Sequence, residues 1–317
     1  MVEHFLAKED VESSNLFARS TKYAGRQDKG RPAAFQAEDR GVRLSLPAPF
    51  FCEVNMITLI GHGYIGKEIA RQLTNWQRAY NWVTHNSEIP KNTTVVINAA
   101  GVTGYPNVDQ CEINKEKTIE GNVVFPVGLH NKTDSPIVHI TSGCVYTGYK
   151  EGGWLETDKP NFSFDNGSFY SGTKALAQEL LEPILGQTNS HLLRIRMPFG
   201  VEDCDKNLLT KLSKYEKLIS MENSLSNVED VAEMAIRFAL ERPPAGVYNL
   251  CNPGGITAKE ICQIVGINNK QWVTEEEFSS MVKAPRSNCV LNTDKLTKYF
   301  HIDNVRTSLE KVAKQRG

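Results

Sequence analysis

Short apolar runs recur along this chain at strand length, with helical stripes between them. Ile57-Thr58-Leu59-Ile60 has no polar face, as expected of a parallel strand covered on both sides. A 3.6-residue stripe through Ile69, Ala70, Leu73 and Trp76 predicts a helix directly after it. Tyr80 to Thr84, Thr94 to Ile97 and Pro136 to Ile140 read as further strands. A helix opens at Ser168, and Asn227 begins another with Met234, Ala235, Phe238 and Ala239 on its apolar face. Gly246 to Leu250 reads as a strand, Thr257 as the cap of a helix, and Thr293 to the end as one lysine-rich solvated helix. Strands alternating with helices predict an α/β fold with a doubly wound parallel sheet.

Residues 1–55 lack any such period. Charges, glycines and prolines alternate there, with acids as common as bases, which disfavours a mitochondrial transit peptide. Met56 stands directly before the first strand. We expect it to be the functional start, with residues 1–55 a disordered or non-native extension. Residues 56–195 would form a dinucleotide-binding domain. Residues 196–317 would form a smaller, mixed and discontinuous substrate-binding domain, with some segments returning to the sheet.

Composition narrows the function classes. The 317 residues carry 36 Lys and Arg against 37 Asp and Glu, a net charge of −1. That balance excludes a basic nucleic-acid binder as the default, since neutralising phosphates takes surplus Lys and Arg. A 40% hydrophobic content suits a globular protein, and no apolar run reaches membrane-spanning length. None of the seven cysteines forms a CxxC pair, so no metal site is expected. Their odd number points to a reducing, cytoplasmic setting.

The first strand runs into Gly61-His62-Gly63-Tyr64-Ile65-Gly66 and then into the helix. This GxGxxG has the context that gives it meaning. The glycines permit a tight turn, bare backbone beside a pyrophosphate, and close helix packing, while the helix N-terminus offers free N–H groups. The second strand ends without the usual Asp or Glu for ribose hydroxyls: His85, Asn86 and Ser87 come first. Nothing there repels a 2′-phosphate, which points to NADPH, with NADH also accommodated. Asn98-Ala99-Ala100-Gly101 closes the third strand with small residues against which an adenine or ribose can lie.

Further along, a strand ends in Thr141-Ser142-Gly143-Cys144, and Tyr170 and Lys174 stand four apart at a helix start, on one face. A phenol ordinarily titrates near 10, and an adjacent ammonium favours its ionised form. Tyr170, Lys174 and Ser142 therefore read as a proton-delivery unit for reduction of a carbonyl.

The stretches NAAGVTGYPNVDQCE, TSGCVY, PNFSFDNGSFYSGTKA, LRIRMP, NLLTKLSKYEKL, GVYNLCNPG and APRSN together resemble the extended short-chain dehydrogenase/reductase family. Within it they are most similar to the nucleotide-sugar epimerase/reductases of L-rhamnose synthesis, both the UDP-4-keto-6-deoxyglucose 3,5-epimerase/4-reductase type and the dTDP-4-dehydrorhamnose reductases. The resemblance implies a Rossmann sheet and a homodimer acting on a UDP- or dTDP-linked 4-keto-6-deoxyhexose. It implies Ser142, Tyr170 and Lys174 as the reductase triad, with Tyr170 and Lys174 also touching the cofactor and Pro198 beside the nicotinamide. It implies Cys144 and Lys211 as the acid/base pair for epimerisation at C3 and C5. Val102, Thr103, Arg196 and Arg286 become candidate substrate contacts, the arginines because a guanidinium matches diphosphate geometry.

Two departures stand out. Gly172 occupies a position within YSGTK where this branch usually has a larger residue, and extra residues precede Tyr170. The rival readings are a reductase lacking epimerase action, and a cofactor-sensing regulator without turnover. The complete Ser142, Tyr170 and Lys174 set argues against the second.

Overall fold

In a computed structural model, residues 56–317 are described. The expectations about residues 1–55 fall outside the described residues. Six parallel strands form the sheet: β1 (Ile57–Ile60), β2 (Tyr80–Val83), β3 (Val95–Asn98), β4 (Ile137–Ser142), β5 (His191–Ile195) and β6 (Gly246–Asn249). Their order is β6-β5-β4-β3-β1-β2. The strand order reverses between β1 and β3, where chains leaving their carboxyl ends diverge to opposite faces and open a crevice. No helix joins β2 to β3; residues 84–94 make the connection alone.

Both faces of the sheet are covered, so the strands are apolar without alternation. On one face Ile57, Leu59, Ile97, Val138 and Leu193 meet α1 (Tyr64–Asn75) and a long helix, Val228–Glu241, through Ile69, Leu73, Val231, Ala235 and Phe238. On the other, Ile60, Val96 and Ile137 meet Phe125 and Leu129. A helix over Phe169–Leu181, here α2, lies on that side as well. The residues between α1 and α2 include the helical stretch Lys115–Ile119 and Phe125–Leu129, interrupted by one π turn at Glu120–Val124.

A second core lies beyond β5. Phe199, Leu218, Leu225 and Ile256 pack with α3 (Leu208–Lys214), the long helix's C-terminal neighbours α5 (Ala258–Val265) and α6 (Val305–Arg316), where α4 denotes Val228–Glu241. Asn227 caps α4 by accepting from the Glu229 N–H, and Thr257 and Glu260 form a reciprocal capping box on α5.

The C-terminal stretch departs from expectation. It is not one solvated helix: Asp294–Thr297 and α6 are separate, and Leu296, Phe300 and Ile302 between and within them enter the main core. Val305, Leu309 and Val312 recur at helical spacing and bury α6 against the second core. The lysines occupy the remaining face. The first helix also ends at Asn75, leaving Trp76 as its cap and largely outside the core.

Candidate active site

β1 ends at Ile60, and Gly61 turns the chain with φ of +110°, a conformation only glycine adopts without cost. A Cβ there would stand 2.7 Å from the Ala100 nitrogen at the end of β3. A Cβ on Gly66 would run into the Gly61 carbonyl, so α1 sits close on β1 only because that residue is glycine. At Gly63, by contrast, nothing lies within 4 Å of a built Cβ. Two glycines serve packing, and the middle one leaves backbone bare. No side chain caps α1. Its first N–H groups, those of Tyr64, Ile65 and Gly66, face this mouth with the positive end of the helix dipole behind them. These residues fit a pyrophosphate. Beside them His62 stacks on Trp82 with ring centroids 4.6 Å apart, and the Trp82 indole N–H donates to the Gly61 carbonyl at 2.9 Å.

Asn98 does not present its amide to the crevice. Buried at the end of β3, it accepts from the Ala100 N–H at 3.0 Å and contacts His139 Nδ1 at 3.2 Å, and His139 in turn meets His130 at 3.0 Å. Burial drives His139 down to about 3, so it stays neutral. Asn98 thus shapes the turn that exposes Ala99, Ala100 and Gly101.

The proton-delivery residues do converge. Ser142 closes β4, and its Oγ accepts the Cys144 N–H at 3.1 Å, which leaves its own hydroxyl proton free to donate. α2 carries Tyr170 and Lys174 in its first two turns, capped by the Ser168 hydroxyl on the Ser171 N–H at 3.0 Å and by Glu112, which accepts the Phe169 N–H at 2.7 Å. Lys174 Nζ lies 5.8 Å from the Tyr170 ring centre, and both side chains are buried. Tyr170 faces Ser142 and the Cys144 sulfur, the groups that act on its phenol.

The expected lowering of the phenol by the ammonium is not what this arrangement gives. Burial dominates and pushes Tyr170 well above its ordinary range, reinforced by the sulfur of Cys144 and opposed by Ser142. The same burial brings Lys174 down to about 8. Both side chains are enclosed, so each charged form loses hydration before either can help the other.

Lys211, on α3, has Lys206 and Arg286 among its charged neighbours, and burial, then those two charges, lower it. No hydrogen bond or ion pair joins it to Cys144 among the described residues. Arg286 is paired with Asp109 at 2.9 Å. Arg196 is fully enclosed: its guanidinium reaches Ser287, Asn223 and, at 3.3 Å, the Cys144 sulfur. It has no surface to offer a diphosphate, which corrects the expectation from LRIRMP. Pro198 begins a two-residue strand paired with Ser226 and Asn227.

Several residues of the site carry no motif. Asn122, on the π turn, accepts the Val102 N–H and donates to the Val102 carbonyl, both at 2.9 Å, and donates to Thr173 at 3.2 Å. It fixes the loop that holds Val102 and Thr103 against α2. A π turn offsets the helix register so that this side chain points inward, and nothing in EGNVV signals that. Lys206 donates to the Thr103 hydroxyl at 2.9 Å and to the Gly104 carbonyl. Tyr105 donates to Asp205 at 3.0 Å. A lysine in the polar stretch DCDKN has no periodic mark to separate it from surface. Gly172, noted as a departure, has its reason here: a Cβ would collide with the Phe164 ring, which comes from the extra residues ahead of Tyr170.

The family model of the RmlD substrate binding domain matches residues 61–316. This chain belongs to that family. A bifunctional dTDP-4-dehydrorhamnose 3,5-epimerase/dTDP-4-dehydrorhamnose reductase of Arabidopsis thaliana is 35% identical over 233 residues, which are 68% of this chain and 75% of that protein. The trifunctional UDP-glucose 4,6-dehydratase/UDP-4-keto-6-deoxy-D-glucose 3,5-epimerase/UDP-4-keto-L-rhamnose-reductase RHM1 of the same plant is 36% identical over 236 residues, covering 69% of this chain but only 34% of its own length. Among solved structures, the L780 UDP-rhamnose synthase of Acanthamoeba polyphaga mimivirus superposes with a TM-score of 0.74 at 26% identity, over 82% of this chain and 99% of that one. A dTDP-4-dehydrorhamnose reductase of Clostridium acetobutylicum gives 0.68 at 21% identity, over 82% of this chain and 98% of that one, a likeness of fold.

Proposed function

We propose that this chain is a nucleotide-sugar 3,5-epimerase/4-keto-reductase that converts UDP-4-keto-6-deoxyglucose, or its dTDP equivalent, to the L-rhamnose nucleotide with NADPH. The observation that carries the reading is the convergence of Ser142, Tyr170, Lys174 and Cys144 at the carboxyl edge of the sheet, beside a glycine turn shaped for a pyrophosphate. The relatives named above, two with epimerase and reductase in one chain and one a UDP-rhamnose synthase, support it.

NADPH supplies the hydride when bound, and a structural neighbour of Bacillus anthracis at 16% identity is a complex with NADP. The chain's own residues do the rest. The Ser142 hydroxyl donates to the C4 oxygen and orients the ketone. Tyr170 gives its proton to that oxygen as negative charge develops there; a phenol kept protonated by burial is matched to the role of acid. Lys174 supplies positive charge beneath the phenol when the tyrosinate forms. Cys144 removes a proton α to the ketone, and Lys211 is our assignment for the acid on the opposite face. A homodimer in a reducing cytoplasm belongs to the same reading; sedimentation at the weight of one chain would remove the dimer.

The test is incubation with the 4-keto sugar in D2O without NADPH, followed by addition of NADPH. Deuterium is expected at C3 and C5 in the first stage and reduction in the second. Unlabelled product would leave a reductase alone. Tyr170→Phe should reduce kcat for the second stage by at least about a hundredfold while deuterium uptake continues; full reduction by that variant would end the mechanism.

A further inference from the structure

Asn98 and His139 are register partners on β3 and β4, each exposed over only 2% of its surface. Buried polar groups are costly unless paired, so such a chain holds its hydrogens in one arrangement. That arrangement follows from the contacts. The Asn98 Oδ1 accepts the Ala100 N–H at 3.0 Å, so Nδ2 is the atom that meets His139 Nδ1 at 3.2 Å. An amide nitrogen only donates, so His139 Nδ1 accepts and carries no hydrogen. Neutral His139 therefore holds its proton on Nε2 and donates it to His130 Nε2 at 3.0 Å. His130 in turn carries its own proton on Nδ1. It is half-buried, at the end of the helical stretch Phe125–Leu129. The chain thus runs from a partly accessible imidazole to the Ala100 N–H beside the glycine turn.

We propose that His139, held by His130, is a positioning residue for the coenzyme: it fixes the Asn98 amide that sets the bare backbone of Ala99, Ala100 and Gly101, and a proton taken up at His130 undoes that hold. This role rests on the reading of the crevice as a coenzyme site. A second proton on His130 must go on Nε2, where it faces the Nε2 proton of His139. The conflict is relieved when His139 holds its proton on Nδ1 instead. That nitrogen then faces the Asn98 NH2, donor against donor, and the amide turns over. Oδ1 leaves Ala100, whose N–H loses its partner. A cavity of about 20 Å³ lined by Asn98, Ala100, His139 and Lys174 gives the amide room to turn. The net event is uptake of one proton from water. Lys174, on α2, is the other charged group that acts on His139, and like His130 it disfavours a charge there. Burial alone lowers His130, so the uptake belongs below the ordinary histidine range.

Selective 15N labelling of histidine with long-range proton–nitrogen correlation reads the tautomers, and His139→Asn and His130→Gln assign the signals. At pH 7.5 His139 should be protonated on Nε2 and His130 on Nδ1; a proton on His139 Nδ1 overturns the proposal. Calorimetric titration with NADP+, which survives acid, reads the consequence. Between pH 7.5 and 5 the dissociation constant should rise roughly threefold to tenfold more in the unaltered protein than in His130→Gln, the effect of losing one neutral hydrogen bond. Gln accepts from His139 but takes no proton, and comparing two proteins with one ligand cancels the titration of the ligand's own phosphates. His139→Leu should bind more weakly at both pH values. His139→Asn keeps an acceptor for Asn98 and should restore the affinity at pH 7.5 without the acid loss. Equal pH dependence in the unaltered protein and His130→Gln overturns the proposal, even if His139→Leu fails to fold. Absence of NADP+ binding at every pH is a different failure: it removes the coenzyme reading, and this role with it.

Discussion

Lys174 shows how a residue chosen by spacing acquires its properties from surroundings that spacing does not reveal. The i, i+4 relation to Tyr170 was legible in YSGTK, and so was the convergence with Ser142. Its enclosure was not, because that comes from Asn122, Gly101 and β4. Lys174 titrates near 8 in the folded chain against 10.5 when unfolded. Between those values the unfolded chain binds more protons, so stability rises with pH across the window and is lost as pH falls from 10.5 to about 8, with no further loss from this group below that. Charged Lys174 therefore costs roughly 2–4 kcal/mol at neutral pH. Lys174→Met should raise the urea midpoint at pH 7 and flatten the increase between pH 8 and 10 seen in the unaltered protein, while turnover collapses. A lower midpoint at pH 7 would show that the ammonium is satisfied in a way the distances do not reveal. Arg196 was the opposite case: a charge in LRIRMP reads as available to ligand, and only packing shows that it is enclosed.

At the scale of elements, the strands and principal helices were readable because both cores impose simple periods. The continuous apolar runs of β1, β3 and β4 reflect cover on both faces, and the caps at Asn227 and Thr257 stand where their side chains accept backbone N–H groups. The π turn at Glu120–Val124 and the break between Asp294–Thr297 and α6 were not readable, since neither disturbs the composition of the segment. Gly172 belongs to this scale too. Alanine in a helix interior gains about 1 kcal/mol over glycine, but forcing a methyl into the Phe164 ring costs roughly 1–3 kcal/mol. Gly172→Ala should therefore lower the melting temperature, and Phe164→Ala should turn the same substitution into a stabilising one. Thermal unfolding of the four combinations measures this; additive effects would mean that the ring moves aside without cost.

The whole molecule depends on how its two cores are held about the crevice. Lys206 grips the loop of Thr103 and Gly104, Tyr105 grips Asp205, and Arg286 grips Asp109, so residues 102–109 are tied to segments that come a hundred or more positions later. These ties are long in sequence and polar, which is why pattern alone does not find them. Lys206→Ala should raise KM for the sugar nucleotide by roughly tenfold or more and leave KM for NADPH unchanged, as a hydrogen bond from a charged donor contributes about 1.5–3 kcal/mol. Equal changes in both constants, measured by initial rates, would place Lys206 outside the substrate side.

The stacked pair beside the glycine turn gives the molecule a built-in signal. Trp82 is one of four tryptophans, and its indole N–H ends on the very carbonyl that shapes the phosphate mouth. Occupation of that mouth changes the field at the indole, so its emission should shift or dim as NADPH is titrated, and Trp82→Phe should remove that change. The protein thereby reports its own loading in plain ultraviolet light, with no label and no substrate.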